Sequence, residues 1–240
     1  MNEDLIQIRT LWVNFFVLRD SNGLYLIDCG FIGGRKLLYR ELKERGWDND
    51  PIIGIILTHG HLDHILNVGK IAKETGAWVA APRLDTSHYK GCPSYNGLSK
   101  ITGFLEAVAR PLFGFKAFTP TRLLDHGERI DIWHGLQVIH LPGHTAGHSG
   151  LYCERLKLLF CADLFASYGK FSHLPPRIFN HDSGLIPASV SKALELDLDG
   201  VIPNHGDRSM PQVHLERLDA INRKAQQHPS SEPRSSVRTG

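Results

Sequence analysis

The segment His59-Gly60-His61-Leu62-Asp63-His64 places four imidazole or carboxylate side chains within six residues. These are the ligand types that divalent zinc, iron or manganese accept, and Gly60 lets the backbone fold tightly enough for neighbouring ligands to converge. The chain holds 14 histidines against 2 methionines, and where those histidines fall decides its chemistry. Its four cysteines, Cys29, Cys92, Cys153 and Cys161, form no C-x-x-C pair. Neither a disulfide framework, a cysteine zinc site nor a thiol nucleophile is therefore suggested.

The elements needed to position such a loop are readable around it. Ile52-Ile53-Gly54-Ile55-Ile56-Leu57 is apolar at nearly every position, as in a strand buried on both faces, and it delivers the chain into Thr58-His59. Upstream, short apolar runs on either side of Asp20-Ser21-Asn22-Gly23 read as a β-hairpin within Leu5 to Asp28, and a helix fits Arg35 to Arg45 before Gly46. A helix at Asn67 to Thr75 and a strand at Ala77 to Ala80 follow. Further strands fit Arg129 to Trp133, Leu136 to Leu141, Ser149 to Cys153, Leu156 to Cys161 and Gly200 to Pro203. Helices fit Pro187 to Leu196 and Pro211 to Gln226. Strands in the middle with helices at the ends of each half give an α/β fold, an αββα sandwich of two facing mixed β-sheets with helices on the outer faces.

A chain of 240 residues with 42% hydrophobic content buries a core without staples, and the expectation is one domain over 1–226 with a polar, disordered tail over 227–240. An insertion or lid at about 82–120 interrupts the domain. In it, Leu98, Ile101, Leu105, Val108 and Leu112 recur at helical spacing, which predicts a cover over the core or a homodimer contact. Its aromatic residues, among them Tyr89, Tyr95 and Phe104, offer the alternative of a roof over an apolar acyl pocket. Net charge is +2, of which the segment after Asn222 supplies +3, leaving −1 for the body. A nucleic-acid enzyme normally carries a basic stripe, so no nucleic-acid partner is expected. The acidic N-terminus Asn2-Glu3-Asp4 and the lack of a long apolar run predict a cytoplasmic protein with no membrane partner and a small-molecule substrate.

At these residues the chain resembles the metallo-β-lactamase superfamily. Leu26-Ile27-Asp28-Cys29-Gly30, His59 to His64, Pro142 to Ser149, Cys161-Ala162-Asp163 and Pro203-Asn204-His205-Gly206 are similar to that family's successive motifs, in family order, each at the end of an expected strand. The resemblance implies the metallo-β-lactamase fold and two divalent ions, zinc foremost, with manganese or iron as alternatives. Carried over residue by residue, it implies that His59, His61 and His144 hold one ion, that Asp63, His64 and His205 hold the other, and that Asp163 bridges them. The residue types agree: three neutral imidazoles leave a coordination position open, and carboxylates offset the charge of a second cation. Asp28, Thr145 and His148 are candidates for supporting the ligands from behind, Asp28 from beneath the metal loop. Phe165, Tyr168, His173 and His181 are candidate substrate contacts on and near the loop that follows Asp163.

The implied reaction is hydrolysis by a metal-bridging hydroxide, oriented by Asp63 as catalytic acceptor, at the carbonyl of a carboxylic ester, lactone or thioester. True β-lactamases of this kind lack the bridging aspartate and are exported. Glyoxalase-II-like thioesterases carry a helical glutathione-binding domain, whereas only 35 residues follow His205 here. Acyl-homoserine lactonases place a tyrosine three positions after the bridging aspartate, where this chain has Ala166. The alternatives are a phosphodiesterase, a mononuclear iron persulfide dioxygenase, and a binding protein that keeps the fold without activity.

Overall fold

A computed structural model describes residues 3–93 and 95–227, so of the tail expected over 227–240 only Gln227 is described, as the last residue of a helix, and 228–240 lie outside the described residues. One sheet runs β1 (Leu5–Arg9), β2 (Asn14–Asp20), β3 (Gly23–Ile27), β4 (Ile52–Ile56), β5 (Trp78–Pro82) and β6 (Arg122–Leu124), side by side in that order. β1 to β3 form an antiparallel meander, and each pairing from β3 to β6 is parallel. α1 (Gly34–Glu44), α2 (Leu62–Ile65) and α3 (Val68–Thr75) precede β5, while α4 (Thr86–Tyr89) and α5 (Lys100–Leu112) lie in the β5–β6 crossover. The second sheet contains β7 (Arg129–Ile130), β8 (Leu136–His140), β9 (Ser149–Cys153), β10 (Leu158–Ala162) and β11 (Gly200–Pro203), in the order β11-β10-β9-β8-β7. α6 (Ile186–Leu194) and α7 (Pro211–Gln227) complete the chain described.

Period-two side-chain alternation divides the core into layers. In β2 and β3, Phe15, Val17, Leu24 and Leu26 face α1 and α3, where Leu38, Leu42, Val68 and Ile71 cover them. The alternate residues Phe16, Leu18, Tyr25 and Ile27 meet Val138, Leu151 and Phe160 of the facing sheet. On the far side Ile139, Leu159 and Val201 pack beneath Ile186 and Val190 of α6 and Leu218 of α7. The result is the αββα sandwich. Each large side chain fully buried between layers contributes about 1.5–3 kcal/mol, which explains why strands with no polar face are stable here.

The metal-type loops all leave the C-terminal ends of strands on one edge: β3 leads to Asp28, β4 to His59, β8 to His144, β10 to Asp163 and β11 to His205. Hydrogen bonds stitch the two sheets together there, with Ser149 N–H donating to Thr58 O and Asn14 N–H to Asn204 O.

Three local features depart from the sequence reading. β7 stops at Ile130 rather than Trp133, because Trp133 takes φ 56° and turns the chain into Gly135. β10 begins at Leu158, since a 3-10 turn at Glu154–Leu156 and Lys157 at φ 47° precede it. The third departure is larger. α5 forms where the helical spacing predicts, but its apolar stripe does not cover the core: Leu98 just before the helix and Ile101, Phe104, Leu105, Val108 and Leu112 on it are 52–73% exposed. Thr102, Glu106 and Arg110 are the buried face. Glu106 Oε2 accepts from Arg110 Nη2 at 2.7 Å, and Arg110 Nη1 donates to the carbonyl of His88 at 3.0 Å, so the two inward charges are paired with each other. The Arg110 guanidinium also lies 4.6 Å from the centre of the Phe115 ring.

Candidate metal centre

Seven side chains converge at the sandwich edge. Ligand atoms of His59, His61 and His144 lie within 4.8 Å of one another, as do those of Asp63, His64 and His205, and those of His59, His64 and Asp163. Asp163 Oδ2 stands between the groups, 3.2 Å from His144 Nε2, 3.1 Å from His205 Nε2 and 3.3 Å from His64 Nε2. Nε2 of His59 and His64 and Oδ1 of Asp163 are buried without a hydrogen-bond partner. Buried polar atoms are nearly always paired, so convergent imidazole nitrogens and carboxylate oxygens of this kind fit the donor set of divalent cations.

The other nitrogen of each ring explains which one is presented. His59 Nδ1 lies 3.0 Å from Thr58 Oγ1, whose own proton goes to Asp28 Oδ2 at 2.7 Å. His64 Nδ1 is held by Asp28 Oδ2 at 3.0 Å, His144 Nδ1 by Asn180 Oδ1 at 3.0 Å, and His205 Nδ1 by the carbonyl of Trp12 at 3.0 Å. Each acceptor fixes the tautomer and leaves Nε2 for the centre. His61 is turned the other way, with Nδ1 2.9 Å from His144 Nε2.

Asp28 is fully buried in the left-handed region at φ 59° and also accepts from Thr58 N–H and Asn204 Nδ2. His148 acts on Asp163 through the main chain: its Nδ1 donates to Leu141 O at 2.8 Å, and its Nε2 accepts the Asp163 N–H at 3.1 Å. Burial lowers the His148 pKa to about 3, so it remains neutral and able to accept.

Thr145 gives its hydroxyl proton to Asp85, a residue the sequence reading overlooked. Asp85 is fully buried and accepts from Gly60 N–H at 2.9 Å, Thr145 Oγ1 at 2.6 Å and Gly147 N–H at 2.7 Å, so one carboxylate ties together the loops carrying His59, His61 and His144. Glu106, Asn180 and Asn204 were missed as well. Glu106 Oε1 accepts the N–H of Leu62, anchoring α5 to the start of α2. Asn204 stands inside the Pro203 to Gly206 motif beside His205, whereas Asp85, Glu106 and Asn180 lie in no recognisable ligand spacing.

Gly60 is required for space rather than for an unusual φ. A Cβ there would stand 2.5 Å from His88 Cβ and 2.6 Å from His88 Cγ. Gly60→Ala is therefore expected to cost about 1–3 kcal/mol as overpacking and to weaken metal binding. Thermal unfolding and metal titration of this variant check the point, and wild-type values in both would show that His88 yields freely.

Charge is distributed unevenly over the cluster. Burial drives the His59 and His61 imidazoles toward their neutral forms. Burial also opposes charge on His64 and His205, but the Asp163 carboxylate outweighs it, holding His64 well above its ordinary range and raising His205 to about 10. Asp163 is buried and Asp63 half-buried, yet the neighbouring imidazoles, His205 and His64, keep both carboxyls below their usual range. Ionised carboxylates beside the neutral His59 and His61 form a pattern that attracts a cation, which would take the place of the protons that the same carboxylates hold on His64 and His205.

A cavity of about 580 Å³ opens above the cluster, with His61, Asp63, His144, Asp163 and His205 on its floor. Trp12, Phe31, Leu105, Ala109, Phe165, Pro175, Pro176 and Phe179 form apolar walls, and no lysine or arginine lines it among the described residues. Phe165, Tyr168 and His173 border the cavity. The Tyr168 hydroxyl donates to Trp12 O at 2.7 Å, and His173 Nδ1 is held by Leu174 O at 2.8 Å. His181 is not among the residues lining the cavity; its N–H donates to the carbonyl of His144 and fixes that segment alongside the metal loop. Trp12 and Phe31, both far upstream in sequence, are cavity residues that no motif announced.

Fold and cluster together define a metal-binding αββα protein. The chain belongs to the metallo-beta-lactamase superfamily, whose family model matches residues 10–205. It is 28% identical over 175 residues to the hydroxyacylglutathione hydrolase of Rhizobium meliloti (strain 1021), an alignment covering 72% of this chain and 54% of that protein. This chain thus spans about half of that relative's length. It is 23% identical to the probable metallo-hydrolase YflN of Bacillus subtilis (strain 168) over 202 residues, covering 78% of this chain and 76% of that protein. A metallo-beta-lactamase family protein of Thermus thermophilus shares the fold with a TM-score of 0.72 and 19% identity, over 95% of this chain and 81% of that one. Among the described residues, no helix is long and apolar enough to cross a membrane.

Proposed function

We propose that this protein is a metal-dependent hydrolase that cleaves a small carboxylic ester, lactone or thioester with an apolar acyl group, using two divalent ions, zinc foremost. The observation that carries this reading is the convergence of seven ligand side chains, five of them on the floor of an apolar cavity that no described lysine or arginine lines. Relatives named as hydroxyacylglutathione hydrolase and metallo-hydrolase support hydrolysis. The apolar walls favour an uncharged acyl group over a phosphodiester or a glutathione conjugate, whose anionic groups call for lysine or arginine partners.

His59, His61 and His144 would hold one ion and Asp63, His64 and His205 the other, with Asp163 facing both. Bound there, divalent cations supply Lewis acidity and an acidified water. Asp63 sits at the cavity floor with its Oδ2 3.4 Å from His205 Nε2, and in its ionised form it orients the attacking water by accepting a hydrogen bond. Asn180, Thr58, Asp28 and the Trp12 carbonyl keep the imidazoles turned toward the centre throughout. His173, with Nδ1 occupied by Leu174 O, has Nε2 as the ring nitrogen left to meet a leaving group. Phe165, Pro175 and Phe179 exclude water from the acyl side.

The test pairs metal analysis with a substrate panel. Chelation is expected to abolish turnover of lactones, thioesters and aryl esters, and added zinc or manganese to restore it without oxygen consumption. Undiminished hydrolysis by metal-free protein would end the proposal, and so would activity confined to phosphodiesters.

A further inference from the structure

The outer surface of α5 poses a physical problem that the monomer leaves unsolved. Leu98, Ile101, Leu105, Val108 and Leu112 follow one another at spacings of three, four, three and four residues, and Phe104 flanks them. All six are more than half exposed. Contiguous apolar surface of this kind marks an interaction site, and strict alternation of three and four is the seam by which one helix packs on another.

We infer that this seam is self-complementary, and that two copies of the chain pair α5 against α5, antiparallel, about a twofold axis between Leu105 and Val108. In that register Leu105 of each copy meets Val108 of the other, and Ile101 meets Leu112, so each of the four seam residues on the helix finds an apolar partner, as an isologous contact requires, while Leu98 lies at the end of the contact. From Ile101 to Leu112, the only charged side chains are Glu106 and Arg110, and both are turned inward and paired with each other. Covering the seam therefore desolvates no charge, which matches the charge-depleted centre of a protein interface. Six large side chains exposed to this degree offer at most roughly 600 Å² per copy, or about 1,200 Å² for the pair with all of them covered, which touches the lower limit of specific interfaces.

Other occupants fit less well. A helix lying on a lipid surface keeps a basic polar face toward water, whereas the polar face of α5 is buried against its own domain. Residues 228–240 carry Val237 as their one aliphatic side chain beyond proline, too little to cover the seam. The seam also borders the cavity, because Leu105 lines it while remaining 55% exposed. The pairing thus places the partner's helix along the outer edge of the cavity.

The experiment is sedimentation of the metal-loaded full chain at micromolar concentration, which does not depend on whether the protein hydrolyses anything. Twice the monomer mass is expected, falling to monomer mass in Ile101→Asp and Val108→Asp with the far-UV spectrum retained. Under oxidation, a chain carrying Cys92→Ser, Ile101→Cys and Leu112→Cys should cross-link between copies, whereas Ile101→Cys alone should not. A monomeric wild type, alone or bound to vesicles, would overturn the inference. A dimer that survives Val108→Asp, or one that fails to cross-link through positions 101 and 112, would overturn it equally.

Discussion

Replacing Asp163 with alanine is expected to lower turnover on the order of 10³-fold and to remove at least one divalent ion per chain while leaving the fold intact. Its Oδ2 lies within 3.3 Å of nitrogen atoms from His64, His144 and His205, so this one side chain faces both ligand sets. Asp63 cannot replace it, because Asp63 reaches His64 and His205, at 3.7 and 3.4 Å, on the second set alone. A bound cation supplies several kcal/mol of charge stabilisation in the transition state, and about 1.36 kcal/mol corresponds to each tenfold in rate. The fold should survive because Asp163 is held through its backbone N–H by His148, a contact that alanine retains. Metal analysis together with kcat decides the matter: two tightly held ions and near-wild-type turnover would strip Asp163 of a bridging role.

Asp85→Ala is expected to destabilise the protein by roughly 3 kcal/mol or more and to weaken metal binding about 10–100-fold, although Asp85 belongs to none of the candidate ligand groups. Its carboxylate is the acceptor for Gly60 N–H, the Thr145 hydroxyl and Gly147 N–H, all buried. Each buried donor left unsatisfied costs about 1–3 kcal/mol, and part of the total is offset because a buried carboxylate no longer has to be desolvated. The same substitution frees the loops that carry His59, His61 and His144 from each other, so affinity falls with stability. Denaturant unfolding with and without metal separates the two effects. A loss below about 1 kcal/mol would mean that the three donors find other acceptors.

Four of the seven candidate ligands could be read from the sequence itself, because metal chemistry restricts residue type severely and they crowd into one strand-to-helix turn, whereas His144, Asp163 and His205 came from the resemblance of their motifs to the family's. The layered fold was legible for a related reason: strands buried on both faces have to be continuously apolar, as Ile52 to Leu57 is. Asp85, Asn180 and Glu106 were not legible, since a lone carboxylate or amide in a loop or helix looks the same whether it meets water or a buried donor from a distant element.

What the sequence determined alone was therefore the chemical inventory and the local periodicity: which atoms are able to bind a cation, and that a helix with one apolar stripe follows Gly97. Tertiary structure decided orientation. Which nitrogen each imidazole presents depends on Thr58, Asp28, Asn180 and the Trp12 carbonyl, three of which come from other segments of the chain. Which way α5 faces was likewise settled by the Glu106–Arg110 pair and the Leu62 N–H it satisfies, because spacing fixes how side chains sit relative to one another on an element, while only packing fixes what that element meets.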